Sequence, residues 1–218
     1  HATQQLANRS GAACMQPFAD RSLDKRGFTE WTEEMSHALE CFELITSSEF
    51  LPKVRVDYNF QSTISSDDAC VIVCTDAAYH NERNVDGEIV KRVCRLSVNC
   101  YDQKDMRHYL SYCDLPEEYY TFLEQGLLTY INKGELIAGI ACLSTYPELF
   151  RDRKVIHFID NAGALSNLIN GYANKPDAAR LVNMFHVALI ALRVDWYGEW
   201  VPSKANIADL MTRPERFE

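Results

Sequence analysis

No apolar run in this sequence approaches the ~20 residues that a helix needs to cross a bilayer, and residues 1–19 lack the continuous apolar core of a signal peptide. The chain therefore reads as soluble. It begins at His1 rather than Met, as a processed product or an excised segment would, and its compartment stays open. There is no CxxC pair, no His at zinc-ligand spacing beside a Cys, and no internal repeat, which argues against metal–thiolate chemistry. Basic residues are the minority: 22 Lys and Arg against 31 Asp and Glu give a net charge of −9 and a pI near 5.2. That balance argues against a broad basic face for nucleic acid, because phosphate contacts need local Lys and Arg.

What is present suits a folded chain. Of 218 residues, 47% are hydrophobic and 24% charged, enough to bury an ordinary core. Among the eight cysteines, Cys70, Cys74, Cys94, Cys100 and Cys142 lie in apolar periodic segments and read as reduced core residues. Residues 1 to about 27 carry no clear period. From Thr29, a helix is expected with Glu30, Glu33 and Glu34 in its first turn and an apolar stripe of Trp31, Met35, Leu39, Phe42 and Ile45. Leu51-Pro52 ends it, and the polar stretch 61–68 marks a domain boundary, dividing the chain into residues 1–66 and 67–218.

Beyond the boundary, Cys70–Cys74 is a short apolar run without a polar face, the pattern of a strand covered on both sides, and it is expected to end at Thr75-Asp76. Asp86-Gly87 makes a turn into a strand that alternates apolar Val90, Cys94, Leu96, Val98 and Cys100 with polar positions, read as half-exposed. A third strand follows around residues 108–113, completing an antiparallel meander. Next come a helix from Glu135 to Leu143, a buried-type strand Val155–Asp160, a short helix ended by Gly171, and a longer one opened by Pro176-Asp177. A last strand over 196–201 and a terminal helix before Pro214 close the chain. The class is α/β.

Two buried strands each end in an acid, Asp76 and Asp160. Parallel neighbours in such a sheet present their carboxyl ends to one crevice, so the two carboxylates would meet there. Like charges at that distance raise each other's pKa unless a cation lies between them, and oxygen ligands at that density suit Mg²⁺ or Mn²⁺. Glu135 after Asn132-Lys133-Gly134, and Asp209 after Asn206-Ile207-Ala208, open helices. Both also fit a plain structural role, since Asn-x-x-Glu and Asn-x-x-Asp resemble capping boxes.

The order of these acids, with Cys74-Thr75-Asp76-Ala77-Ala78, Gly134-Glu135-Leu136-Ile137-Ala138, Phe158-Ile159-Asp160-Asn161 and above all Trp200-Val201-Pro202-Ser203-Lys204-Ala205-Asn206-Ile207-Ala208-Asp209, resembles the ribonuclease H domain of retroelement reverse transcriptases. The resemblance covers residues 69–213, and the helix before it looks like a remnant of the thumb or connection segment. It implies an RNase H-like mixed five-stranded sheet, a three-strand antiparallel meander plus two parallel strands, with helices on both faces and a helical segment in front. It further implies that Asp76, Glu135, Asp160 and Asp209 are catalytic, metal-binding acids of a two-metal Mg²⁺ or Mn²⁺ site hydrolysing the RNA strand of RNA–DNA hybrids. Where the cellular enzymes have a mobile His shortly before the last acid, this chain has Lys204. The stretch between Asp76 and Glu135 is long for the family, and the surplus around residues 109–131 reads as an insertion.

Lys133, Lys204 and Arg213 are candidates for the rim of a hybrid-binding face. His157 and His186 read as core or boundary residues, and Trp196, Tyr197 and Trp200 as core filling in the last strand. Two other readings compete: a domesticated, non-catalytic structural or interaction subunit in a larger assembly such as a ribonucleoprotein, and an integrase or exonuclease of the same superfamily. An integrase would need its Glu after both Asp residues. The apolar stripe of the first helix calls for a protein partner to cover it.

Overall fold

The computed structural model describes residues 32–46, 69–124 and 130–213. Five strands form one sheet in the order β3-β2-β1-β4-β5. Strands β1 (Val71–Arg83), β2 (Ile89–Asp102) and β3 (Arg107–Asp114) are an antiparallel meander, whereas β4 (Lys154–Ile159) and β5 (Asp195–Trp200) run parallel to β1. This is the expected RNase H-like arrangement. The helices are α1 (Glu33–Thr46), α2 (Glu118–Glu124), α3 (Tyr130–Thr145), α4 (Pro147–Phe150), α5 (Ala162–Asn170), α6 (Pro176–Leu192) and α7 (Asp209–Thr212).

One sheet face carries the core. Val71, Val73, Val98, Cys100, Val155 and Ile159 point toward Leu136, Leu165, Leu168, Val182 and Phe185 from α3, α5 and α6. The opposite face receives the chain's end: Ser97 Oγ donates to the carbonyl of Ala208 at 2.6 Å, and Asn206 Nδ2 donates to that of Thr75 at 2.9 Å. Ser97 and Asn99 are polar and yet buried, so β2 is covered on both faces from Val93 onward rather than half-exposed, while Ile89 to Arg92 stay exposed. The five core cysteines are reduced and buried.

Strand β1 does not stop at Asp76. Its parallel pairing with β4 ends at Cys74 and Phe158, but its antiparallel pairing with β2 continues to Arg83. The sheet therefore parts between β1 and β4 just where Asp76 begins. Helix α3 comes unusually close there, because a Cβ on Gly134 would lie 2.9 Å from that of Ala77. The surplus between β3 and α3 includes α2, whose Tyr120 accepts from the Cys94 N–H at 3.1 Å and donates to the Leu115 carbonyl at 3.2 Å. Helix α1 lies against α6 with Met35 fully buried, so the chain itself covers that part of the stripe. Trp31 lies outside the described residues.

In β5 only Trp196 fills core, edge-to-face with Phe185 at 5.3 Å; Tyr197 and Trp200 are 45% and 50% exposed, correcting their assignment to the interior. As an edge strand, β5 hides one face only. The Trp196 ring needs the bare backbone of Gly198, where a Cβ would lie 2.5 Å from Cη2 and 2.8 Å from Leu165 Cδ1. Gly198→Ala is expected to cost about 1–3 kcal/mol through overpacking. Urea denaturation measures it, and an unchanged midpoint would mean that the ring moves aside freely.

Candidate metal centre

The parting of β1 from β4 opens a cleft into which acids arrive from several elements. Asp76 comes from β1, Asp160 directly follows β4, and Glu135 reaches down from α3. One carboxylate oxygen from each of the three lies within 4.8 Å of the others. Asp76 and Glu135 are 3% and 2% exposed, and Asp160 is half-buried. Glu135 does not open its helix, which is already running at Tyr130; the residue sits in the second turn, where the close contact of Gly134 with Ala77 carries it to the strand. Its Oε1 accepts from the Ala77 N–H at 3.3 Å, while Oε2 is buried with no hydrogen-bond partner among the described residues.

Asp209 stands apart from this trio. It begins α7 on the other sheet face, is 3% exposed, and pairs with Arg213 Nε at 3.0 Å. Its charge is still felt by both Asp76 and Glu135.

Burial dominates the electrostatics. Desolvation pushes Asp76 up from 3.8 to about 6, opposed by a hydrogen bond from Thr212 and reinforced by the charges of Asp160 and Asp209. Glu135 is raised well above the ordinary glutamate value, first by burial and then by Asp76 and Asp160. A buried oxygen without a donor, among carboxylates that resist shedding their protons, is the donor set a hard divalent cation satisfies. The residues fit a divalent metal ion.

Of the basic candidates, Lys204 is exposed on the segment leading to Asp209, and Arg213 is partly exposed against it. Lys133 is not at the rim at all. Its side chain is fully buried, with Nζ paired to the Asp177 carboxylate and donating to the Leu123 carbonyl at 3.2 Å. The lysine spans three helices, which removes it from any nucleic-acid face.

Both histidines lie in the interior as expected. Trp196 Nε1 donates to His157 Nδ1 at 3.3 Å, which leaves the proton on Nε2, 2.8 Å from Thr75 Oγ1. Burial lowers this imidazole to about 3, so it is neutral and braces β4 against β1 behind the acids.

Two side chains beside the acids were not read from the sequence as part of the site, Trp200 having been assigned to the core. Thr212 donates to Asp76 Oδ2; its signal was the i,i+3 spacing from Asp209, which puts both on one face of a single helical turn. Trp200 donates from Nε1 to the Asp160 carbonyl at 3.0 Å, keeping a half-exposed indole beside the cleft.

No protein-family model matches the chain, and no curated protein matches it. Among solved structures, it is similar to RNase H1 from the halophilic archaeon Halobacterium salinarum NRC-1, with a TM-score of 0.46 and 17% identity over 63% of this chain and 89% of that one. It is also similar to the N-terminal RNase H domain of Rv2228c from Mycobacterium tuberculosis, solved as a fusion with maltose-binding protein, with a TM-score of 0.46 and 14% identity over 68% of this chain and 97% of that one.

Proposed function

We propose that the chain is a metal-dependent endoribonuclease of the ribonuclease H type, derived from a retroelement reverse transcriptase, that hydrolyses the RNA strand of RNA–DNA hybrids. Residues 67–218 form the nuclease domain, and residues 1–66 are a remnant of the thumb or connection segment. The observation that carries this reading is the convergence of Asp76, Glu135 and Asp160 within 4.8 Å, together with a buried Glu135 oxygen that has no hydrogen-bond partner among the described residues. The retroelement origin is supported by the run from Trp200 to Asp209.

Asp76, Glu135 and Asp160 would hold Mg²⁺ or Mn²⁺, with Asp209 completing the set. Such ions, when bound there, would supply the chemistry that activates a water and stabilises the leaving 3′ oxygen of a phosphodiester. The chain's own part is positional. The Ala77 N–H fixes one Glu135 oxygen and leaves the other for the cleft. Lys204, exposed on the segment leading to Asp209, offers positive charge for a phosphate on a chain whose net charge is −9, and Arg213 balances the Asp209 carboxylate. RNA would be chosen over DNA through its 2′-hydroxyls.

The test is cleavage of an end-labelled RNA–DNA hybrid in Mg²⁺ and in Mn²⁺, with double-stranded DNA and single-stranded RNA as controls. The wild type should cut only the RNA of the hybrid, and Asp160→Asn should be slower by on the order of a hundredfold, since a metal ligand contributes several kcal/mol of charge stabilisation. Equal rates for the two proteins would end the mechanism. Metal binding without cleavage by the wild type would favour a non-catalytic subunit.

A further inference from the structure

We infer that Thr212 is a positioning residue for the carboxylate cluster: its hydroxyl fixes the rotation of Asp76 and so preorganises the site for a divalent cation. The inference rests on the metal-centre reading above. Thr212 ends the single turn of α7 that Asp209 begins, and both are buried, at 2% and 3% exposure. The hydroxyl has one proton and two acceptors in reach, Asp76 Oδ2 and, at 3.1 Å, the Asp209 carbonyl. The carboxylate is the closer and the charged partner, and takes the proton.

The hydroxyl is held in place by the fold rather than by its own preference. Ser97 on β2 grips the Ala208 carbonyl, and Asn206 bridges, donating to the Thr75 carbonyl and accepting from the Ala208 N–H at 3.2 Å. The turn is therefore pinned to the strand that bears Asp76 and to its neighbour. A β-branched side chain adds a stiff χ1. Asp76 faces Glu135 and Asp160 within 4.8 Å, so without this bond mutual repulsion would turn its carboxylate away in the metal-free protein. Restoring it would then oppose metal uptake. Outer partners of metal ligands act in this way, and their loss typically weakens metal affinity about 10- to 100-fold.

The experiment is calorimetric titration of Mn²⁺ into the full chain as wild type, Thr212→Val, Thr212→Ala, Thr212→Ser and Asp160→Asn, with circular dichroism of each metal-free protein. Thr212→Val keeps the shape without the hydroxyl and should bind Mn²⁺ about 10- to 100-fold more weakly, while Thr212→Ser should come back to within about threefold of wild type. Thr212→Ala gives the same reading should Thr212→Val not fold. In hybrid cleavage, the valine variant should need more metal for half-saturation and keep most of its rate at saturation, a split that a merely structural role would not give. Wild-type affinity in both Thr212→Val and Thr212→Ala, alongside loss in Asp160→Asn, overturns the inference and leaves the metal centre standing. A wild type that takes up no Mn²⁺ overturns both.

Discussion

Glu135→Gln is expected to raise the unfolding midpoint of the metal-free protein at pH 7.5 while lowering hybrid cleavage by roughly three powers of ten. The two effects have one cause. Glu135 is 2% exposed, and burial together with Asp76 and Asp160 pushes its carboxyl well above the ordinary range. Glutamine keeps the shape and the acceptor for the Ala77 N–H but carries no charge. A carboxyl whose folded pKa lies above its unfolded value contributes stability that is complete below the unfolded value and is lost as pH rises through the folded one. For Asp76, moving from 3.8 to about 6, the loss at neutral pH is roughly 3 kcal/mol. The wild type in EDTA should therefore gain stability relative to the variant between pH 7.5 and pH 5. Saturating Mn²⁺ should reverse the order at pH 7.5, because an ion that bound only the folded carboxylates would add roughly 2.7 kcal/mol at a hundred times its Kd. The cleavage loss follows from removing about 4 kcal/mol of transition-state charge stabilisation. Thermal unfolding in EDTA and in Mn²⁺ reads the stability arm. A glutamine variant less stable than wild type in EDTA at pH 7.5 would show that the cluster is not electrostatically compressed.

How far this site could be read in the sequence depended on whether each signal was local. The strands that carry Asp76 and lead to Asp160 were legible because Cys70–Cys74 is an unbroken apolar run and Val155–Ile159 is broken only by His157, and such runs mark strands buried on both faces. The true end of β1 was not. What stops after Cys74 is only the parallel pairing, while the hairpin with β2 continues, and no local residue distinguishes the two events. Asn132 to Glu135 has capping-box spacing yet lies inside a running helix, where Asn132 is buried with its Nδ2 turned toward Asn161. Ser97 and Asn99 looked solvent-facing because the segment that covers them lies more than a hundred residues away. Thr212 is hidden for the same reason: its acceptor is on a strand at the other end of the domain.

Lys133 is the sharpest case of a residue whose role depends on a distant partner, and Lys133→Met is expected to destabilise the protein by about 2–4 kcal/mol. Breaking a buried ion pair from one side usually costs about 3–5 kcal/mol, because the remaining charge is left uncompensated. The figure is reduced here because Asp177 is 22% exposed and lies in the first turn of α6, where the helix dipole still favours its charge. Methionine would fill much of the volume but offers no donor to Asp177 or to the Leu123 carbonyl. The link between α2, α3 and the start of α6 would then rest on packing alone. For a chain of this length the loss corresponds to roughly 5–15 °C in Tm. Urea denaturation should show a lower midpoint with an unchanged slope, the mark of altered stability rather than altered compactness. Adding Asp177→Leu should recover at least half of the loss, since replacing both partners with apolar groups removes the stranded charge. Mn²⁺ affinity of the folded fraction should stay near wild type, the opposite of Glu135→Gln, which gains stability in EDTA and loses the metal. An unshifted urea midpoint in Lys133→Met would mean that the ammonium contributes nothing beyond its methylenes.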